Sequence, residues 1–138
     1  MTDHLFVYGS LMPHLTSSFG KAERTRLANE SSVIGPASVA GRLYDLGEYP
    51  GLISNSCLHT RVDGVLLRLV SPDETFVWLD PFEDIVPGRA NEANAYERVT
   101  RTVTTHDGQS YEAWVYVMWR VPAGASEIIS AEWQAPSL

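Results

Sequence analysis

YERVTRTVTTHDGQSYEAWVYVM, residues 96–118, carries the clearest mark of the architecture. Tyr96–His106 and Gln109–Met118 are strand-like runs, rich in β-branched and aromatic residues and joined at Asp107-Gly108. Asp-Gly between two such runs signals a hairpin, because both residues accept the positive φ of a tight turn. An antiparallel pair is therefore expected here. Moving toward the amino terminus, Val62 to Val70 is strongly apolar and reads as a central strand. Ser32 to Leu46 reads as one long bent strand or two short ones, punctuated by Gly35, Pro36 and Gly41. Glu48-Tyr49-Pro50-Gly51 reads as a turn. Leu5 to Tyr8 is a short buried strand that Gly9-Ser10 ends.

Helical signals are fewer. In Ser71-Pro72-Asp73-Glu74, Ser71 can cap a helix, Pro72 suits its first position and Glu74 can complete a capping box. That helix should run to about Asp84. Residues 17–30 are helix-permissive, with Phe19, Ala22 and Leu27 as anchors. Residues 85–94 read as a long loop of the kind that carries function. The tail from Val121 contains Trp133 and is expected to pack on the body. The sum is a single α+β domain over residues 1–138, with a mixed, barrel-like sheet of five to six strands and one well-marked helix.

Composition narrows the function classes. The chain has 138 residues, a net charge of −7 and ten Lys plus Arg, of which Lys21 is the sole lysine. These cations are scattered, so nucleic acid is not an expected partner. No apolar run approaches the roughly 20 residues that span a bilayer. Nothing at the start reads as a secretory leader, and a cytoplasmic location is expected. Cys57 is the only cysteine, and His4, His14, His59 and His106 lie far apart. No metal-ligand spacing results, and no metal site is expected.

Two stretches can carry chemistry. Phe76, Leu79 and Glu83 fall at i, i+3 and i+7, which places Glu83 at the end of an apolar helical stripe. A carboxyl partly desolvated there has a raised pKa and can take and return a proton. The competing reading is a solvent-facing glutamate at a fraying helix end, paired with an arginine. The second stretch is Tyr8-Gly9-Ser10-Leu11, where a buried strand ending in Gly-Ser can offer consecutive backbone N–H groups to a carboxylate or oxyanion. The competing reading there is an ordinary strand-to-loop turn. Ser10 as a nucleophile lacks a Gly-x-Ser-x-Gly elbow. Tyr96, Arg98 and Tyr116 read as core residues more than as ligands of a substrate.

Five pieces, in order along the chain, carry a resemblance. They are Phe6 to Leu11, Gly41 to Leu52, Val62 to Leu66, Leu79-Asp80-x-x-Glu83 and Tyr96-x-Arg98. With them the sequence resembles the γ-glutamylcyclotransferase-like family, which includes the γ-glutamylamine cyclotransferases. The resemblance implies a small mixed β-barrel with a few helices. It implies an enzyme of lyase or acyltransferase type that closes a γ-glutamyl group to 5-oxoproline and releases an amine, without a cofactor. It implies Glu83 as general acid/base, and Tyr8, Gly9, Ser10 and Leu11 as the loop that binds the small-molecule substrate. A carboxylate-binding arginine near the leaving group would indicate an amino-acid leaving group, with Arg42, Arg68 and Arg98 as candidates. The alternative is a non-catalytic domain of the same fold that binds a γ-glutamyl or amino-acid derivative.

Overall fold

The computed structural model of the protein describes residues 2–9, 11–13, 20–45, 50–54, 60–83, 96–118, 121 and 124–128. Five strands close a barrel: β1 (His4–Val7), β2 (Ser31–Ala40), β5 (Arg61–Leu69), β6 (Tyr96–Thr105) and β7 (Ser110–Met118). Their order around it is β1-β5-β2-β6-β7. All neighbours are antiparallel except β7 and β1, whose parallel contact at Leu5 and Trp114 closes the ring. Closure leaves no free sheet edge. Ala37, Val39, Val62, Val103, Ala113 and Val115 are almost fully buried, and alternation along each strand sends them to the barrel core. β1 is buried on both faces, hence its unbroken apolar run.

The expected hairpin is present, with Tyr96 opposite Met118 and Thr104 opposite Ser110. Its loop is longer than the Asp-Gly pair suggests. Thr105 N–H bonds to the Gln109 carbonyl at 2.8 Å, and Gly108, at φ 90°, takes the left-handed position before β7 begins. The Asp107 carboxylate accepts a hydrogen bond from the Thr105 hydroxyl and holds the turn.

The second layer departs from a single sheet. Residues 31–45 form two strands in different sheets: β2 enters the barrel, and β3 (Arg42–Asp45) leaves it. β3 lies between β4 (Pro50–Ile53) and β8 (Ser126–Glu127) in a small three-stranded sheet. Pro50 and Gly51 are thus strand residues, not a turn. Pro50 sits at the first position of β4, where a missing N–H is tolerated. The described residues therefore hold eight strands and two helices, against the five to six strands and one helix expected from sequence. The additional strands are very short, and β8 has only two residues, too few to produce a period.

Helix α1 (Lys21–Asn29) and helix α2 (Pro72–Phe82) pack against the barrel. Neither is long and apolar enough to cross a membrane. Ser71 occupies the N-cap position of α2, but its side chain makes no capping bond. The helix start is tied down by Glu30 instead. One oxygen of that carboxylate accepts the Thr75 hydroxyl at 2.7 Å and the Trp78 indole N–H at 3.1 Å, and the other pairs with Arg26 at 3.0 Å. These donors hold the Glu30 carboxyl below its ordinary pKa, the Thr75 hydroxyl most. Its contribution to stability is present above the usual carboxylate range and is lost as pH falls through the depressed value.

Glu30→Ala leaves the fully buried Thr75 hydroxyl without its acceptor. A loss of about 1–3 kcal/mol in urea unfolding is expected. Glu30→Gln should lose less, since an amide oxygen still accepts from both donors. Equal midpoints for wild type and Glu30→Ala would refute this role.

Candidate active site

Three elements converge at the carboxy-terminal end of α2. Thr75, Phe76 and Leu79 dock the helix on the barrel. The helix ends at Phe82, and Glu83 is the C-cap residue, its N–H bonded to the Leu79 carbonyl at 3.0 Å. The apolar stripe therefore delivers Glu83 to the protein face of the helix end, as the spacing predicts. Glu83 is half-buried. Burial first, and the neighbouring Asp80 charge second, push its carboxyl up to about 8. A carboxyl of that kind exchanges its proton near neutral pH.

The end of β1 supplies the facing side. Tyr8 is buried, and its hydroxyl donates to the Tyr116 carbonyl at 2.5 Å. Burial raises the Tyr8 pKa well above its ordinary value; the Tyr96 and Glu83 charges add to this, and the Leu52 backbone N–H opposes it. Tyr8 is thereby held as a neutral hydroxyl. Its phenol belongs to the same electrostatic neighbourhood as Glu83, Tyr96 and the β4 backbone. Tyr96, also buried, donates to the Pro50 carbonyl at 2.8 Å. Strand β4 thus lies across the end of β1.

The loop after β1 turns at once, its Met12 N–H bonded to the Gly9 carbonyl at 3.0 Å. Leu11 is buried in the core cluster. Ser10 lies outside the described residues, as do the loop at 84–95 and most of the tail. A Cβ on Gly9 would approach Pro50 Cδ to 2.9 Å and Cγ to 3.0 Å, so the absent side chain is what lets the loop pack on β4. The sequence alone implies that Gly9→Val weakens binding more than stability. The Pro50 contact revises that expectation: overpacking should also cost about 1–3 kcal/mol. A thermal melt with an unchanged midpoint would count against it.

Of the three residues read as core from the sequence, Tyr96 and Tyr116 are buried in the core cluster, and Arg98 and Tyr116 also make specific polar contacts. Asp80 receives Arg98 through Nε–Oδ1 at 2.9 Å and Nη2–Oδ2 at 3.2 Å, and Tyr116 donates to Oδ1 at 2.6 Å. Arg98 is therefore committed to Asp80. Arg42 and Arg68 are exposed, on β3 and β5. The spacing of Leu-Asp-x-x-Glu and Tyr-x-Arg was the available signal, since each pair of polar residues lies on one face of its element. On its outer side this cluster borders a groove of about 740 Å³, lined by Asp73, Phe76, Asp80, Arg98 and Trp114 among others, but not by Glu83.

A family profile described as "Gamma-glutamyl cyclotransferase, AIG2-like" matches residues 5–135. No curated protein matches the chain significantly. Among solved structures, YkqA from Bacillus subtilis is 24% identical with a TM-score of 0.66; the alignment covers 96% of this chain and 40% of that one. An AIG2-like protein from Mus musculus is 21% identical with a TM-score of 0.64, covering 88% and 80%. A structure named gamma-glutamyl cyclotransferase is 15% identical with a TM-score of 0.57, covering 90% and 68%. This chain thus spans less than half the length of the Bacillus structure and most of the length of the mouse one. At these identities the likeness is one of fold, and the closed barrel with its small second sheet is that fold.

Proposed function

Because the chain belongs to the gamma-glutamyl cyclotransferase, AIG2-like family, we propose that it cyclises a γ-glutamyl group to 5-oxoproline and releases an amine, with Glu83 as general acid/base. The observation that carries the proposal is the carboxyl at the end of α2, half-buried, raised to about 8 and within electrostatic reach of Tyr8 at the end of β1. The reaction is an intramolecular aminolysis. The α-nitrogen of the glutamyl group attacks its own γ-carbonyl carbon, and a new C–N bond closes a five-membered ring. The bond from that carbon to the leaving nitrogen then breaks. The Glu83 carboxylate takes the proton that the attacking nitrogen must lose, and the resulting acid returns it to the leaving nitrogen. Atoms and charge balance without a second reactant.

Tyr8 and the turn from Gly9 through Ser10 to Leu11 hold the γ-glutamyl part. Keeping the chain curled supplies the proximity that an open-chain reaction lacks. The backbone N–H groups of the turn either grip the α-carboxylate or stabilise the oxyanion. The substrate class is a small molecule with a free γ-glutamyl end, either a γ-glutamyl amine or a γ-glutamyl amino acid. With Arg98 engaged by Asp80, the arginine that would read an amino-acid carboxylate is not this one.

The deciding experiment incubates the protein with a panel of γ-glutamyl amines and γ-glutamyl amino acids and measures 5-oxoproline and free glutamate. Formation of 5-oxoproline with stoichiometric amine supports the reading. Free glutamate instead would mean hydrolysis. Saturable binding with no product from any compound would mean a binding domain.

A further inference from the structure

We propose that Asp80, gripped by Arg98 and Tyr116, is the positioning residue that fixes the last turn of α2 and so the direction of the Glu83 side chain. This rests on the reading of Glu83 as the acid/base.

The geometry begins with the helix end. Pro81 lies in the final turn of α2 and has no N–H to donate, so that turn lacks one of the bonds that would hold it. Helix ends fray when such bonds are missing. Asp80 stands in the same turn, three residues before Glu83, and supplies an external tie. Its carboxylate takes three hydrogen bonds from two strands at once, two from Arg98 on β6 and one from Tyr116 on β7. Arg98 and Tyr116 are direct partners in the β6–β7 register, so both side chains leave the hairpin on one face.

The grip is preorganised. The Arg98 guanidinium lies 3.8 Å from the ring centre of Phe76 and 4.4 Å from that of Trp114. Phe76 and Trp114 meet edge to face at 5.9 Å. A planar fork held against two rings has little freedom left to lose when it binds a carboxylate. The Arg98 and Asp80 side chains are only 25% and 23% exposed, so this is not a solvated surface pair. Phe76 and Leu79 already dock α2 through apolar contact, which is non-directional, and the Thr75 hydrogen bond to Glu30 ties down its start, not its last turn. The bidentate pair adds what apolar contact lacks, a defined rotation of the last turn. It also brings charge to the site. Among the described residues, the titratable groups that act on or are acted on by Glu83 are Asp80 from α2, Tyr8 from β1 and Tyr116 from β7, with Tyr96 and Arg98 of β6 beside them. Asp80 is the anion of this set, and Arg98 is its counterion.

The test compares Asp80→Asn, Tyr116→Phe and Glu83→Gln with the Asp80→Asn/Glu83→Gln double variant. For Asp80→Asn the expected result is a kcat lower by about 10- to 100-fold with a nearly unchanged KM, the usual consequence of a displaced reacting group. The ascending limb of the pH profile should move to lower pH, because the anion beside Glu83 is gone. In the Glu83→Gln background, Asp80→Asn should cost no further turnover. Tyr116→Phe removes one bond and no charge, so it should lower kcat less and leave the limb in place.

A merely structural Asp80 would lower the melting temperature without moving the limb, and that outcome overturns the proposal. So does an Asp80→Asn penalty that persists in full in the double variant. The ¹³C-observed titration of the Glu83 carboxyl, read without substrate, separates the two levels of inference. If no γ-glutamyl compound is turned over, the reading of the reaction fails, and the titration alone decides whether Asp80 governs Glu83. If wild type is active, Glu83→Gln inactive and Asp80→Asn unchanged in both rate and titration, the positioning role alone fails.

Discussion

Glu83→Gln is expected to lower turnover of a γ-glutamyl substrate by roughly 10²–10⁴ while raising the melting temperature at neutral pH. The amide keeps the shape and hydrogen-bonding reach of the acid but cannot accept the proton of the attacking nitrogen. The stability gain follows from the direction of the pKa shift. In the folded protein the Glu83 carboxyl keeps its proton up to about pH 8, whereas the ordinary value is 4.5. Between those two values the unfolded chain releases the proton and the folded one holds it, so rising pH favours unfolding. Below 4.5 both states are protonated and the penalty is absent. Glutamine carries no such penalty. The variant should be more stable by about 1–3 kcal/mol at pH 7, a figure that allows for the solvent still reaching this half-buried group. The advantage should vanish below about pH 4.5.

The same shift sets the rate profile. If the carboxylate is the active form, wild-type kcat/KM should fall about tenfold for each pH unit below 8 and level off above it. Two measurements check the assignment: turnover against pH, and thermal melts of both proteins at pH 4 and pH 7. Full activity in a folded Glu83→Gln protein would remove Glu83 from the mechanism. A variant that unfolds at pH 7 would make the residue structural.

Gly64→Ala is expected to destabilise the fold by about 3 kcal/mol, the upper end for overpacking a close-packed site. A Cβ on Gly64 would collide with the Val7 carbonyl oxygen and lie 2.6 Å from Phe6 Cζ. The first of these is backbone and cannot swing aside. The glycine of the Val62-Asp63-Gly64-Val65-Leu66 motif is therefore explained by close approach. It lets β5 sit against the end of β1, next to Tyr8, where Val7 and Val65 are register partners. A shift there also reaches the site, so Gly64→Ala should lower activity even at temperatures where it remains folded. Urea unfolding checks the first effect, and turnover well below the melting midpoint checks the second. A midpoint equal to that of wild type would show that the barrel absorbs the methyl group.

The elements that rest on local rules were legible in the amino-acid order. The period-2 runs of β6 and β7 and the turn between them were legible, because adjacent strands pair with little loop to close. The start of α2 at Pro72 was legible from the proline and the acids beside it. Glu83 was legible as the end of an apolar stripe, because helical periodicity follows from backbone geometry alone. Tertiary structure decided the rest. Whether β3 and β4 continue the barrel or leave it depends on pairing with β8, far along the chain. That Pro50 packs under Gly9, and that Tyr8 donates to a carbonyl 108 residues away, depends on barrel closure. The partner of Asp80 was equally hidden, since Arg98 lies 18 residues on and Tyr116 lies 36 on. Local propensity and periodicity act over a few residues. The pKa of Glu83 and the grip on Asp80 arise from burial and charge that exist only once distant strands have met.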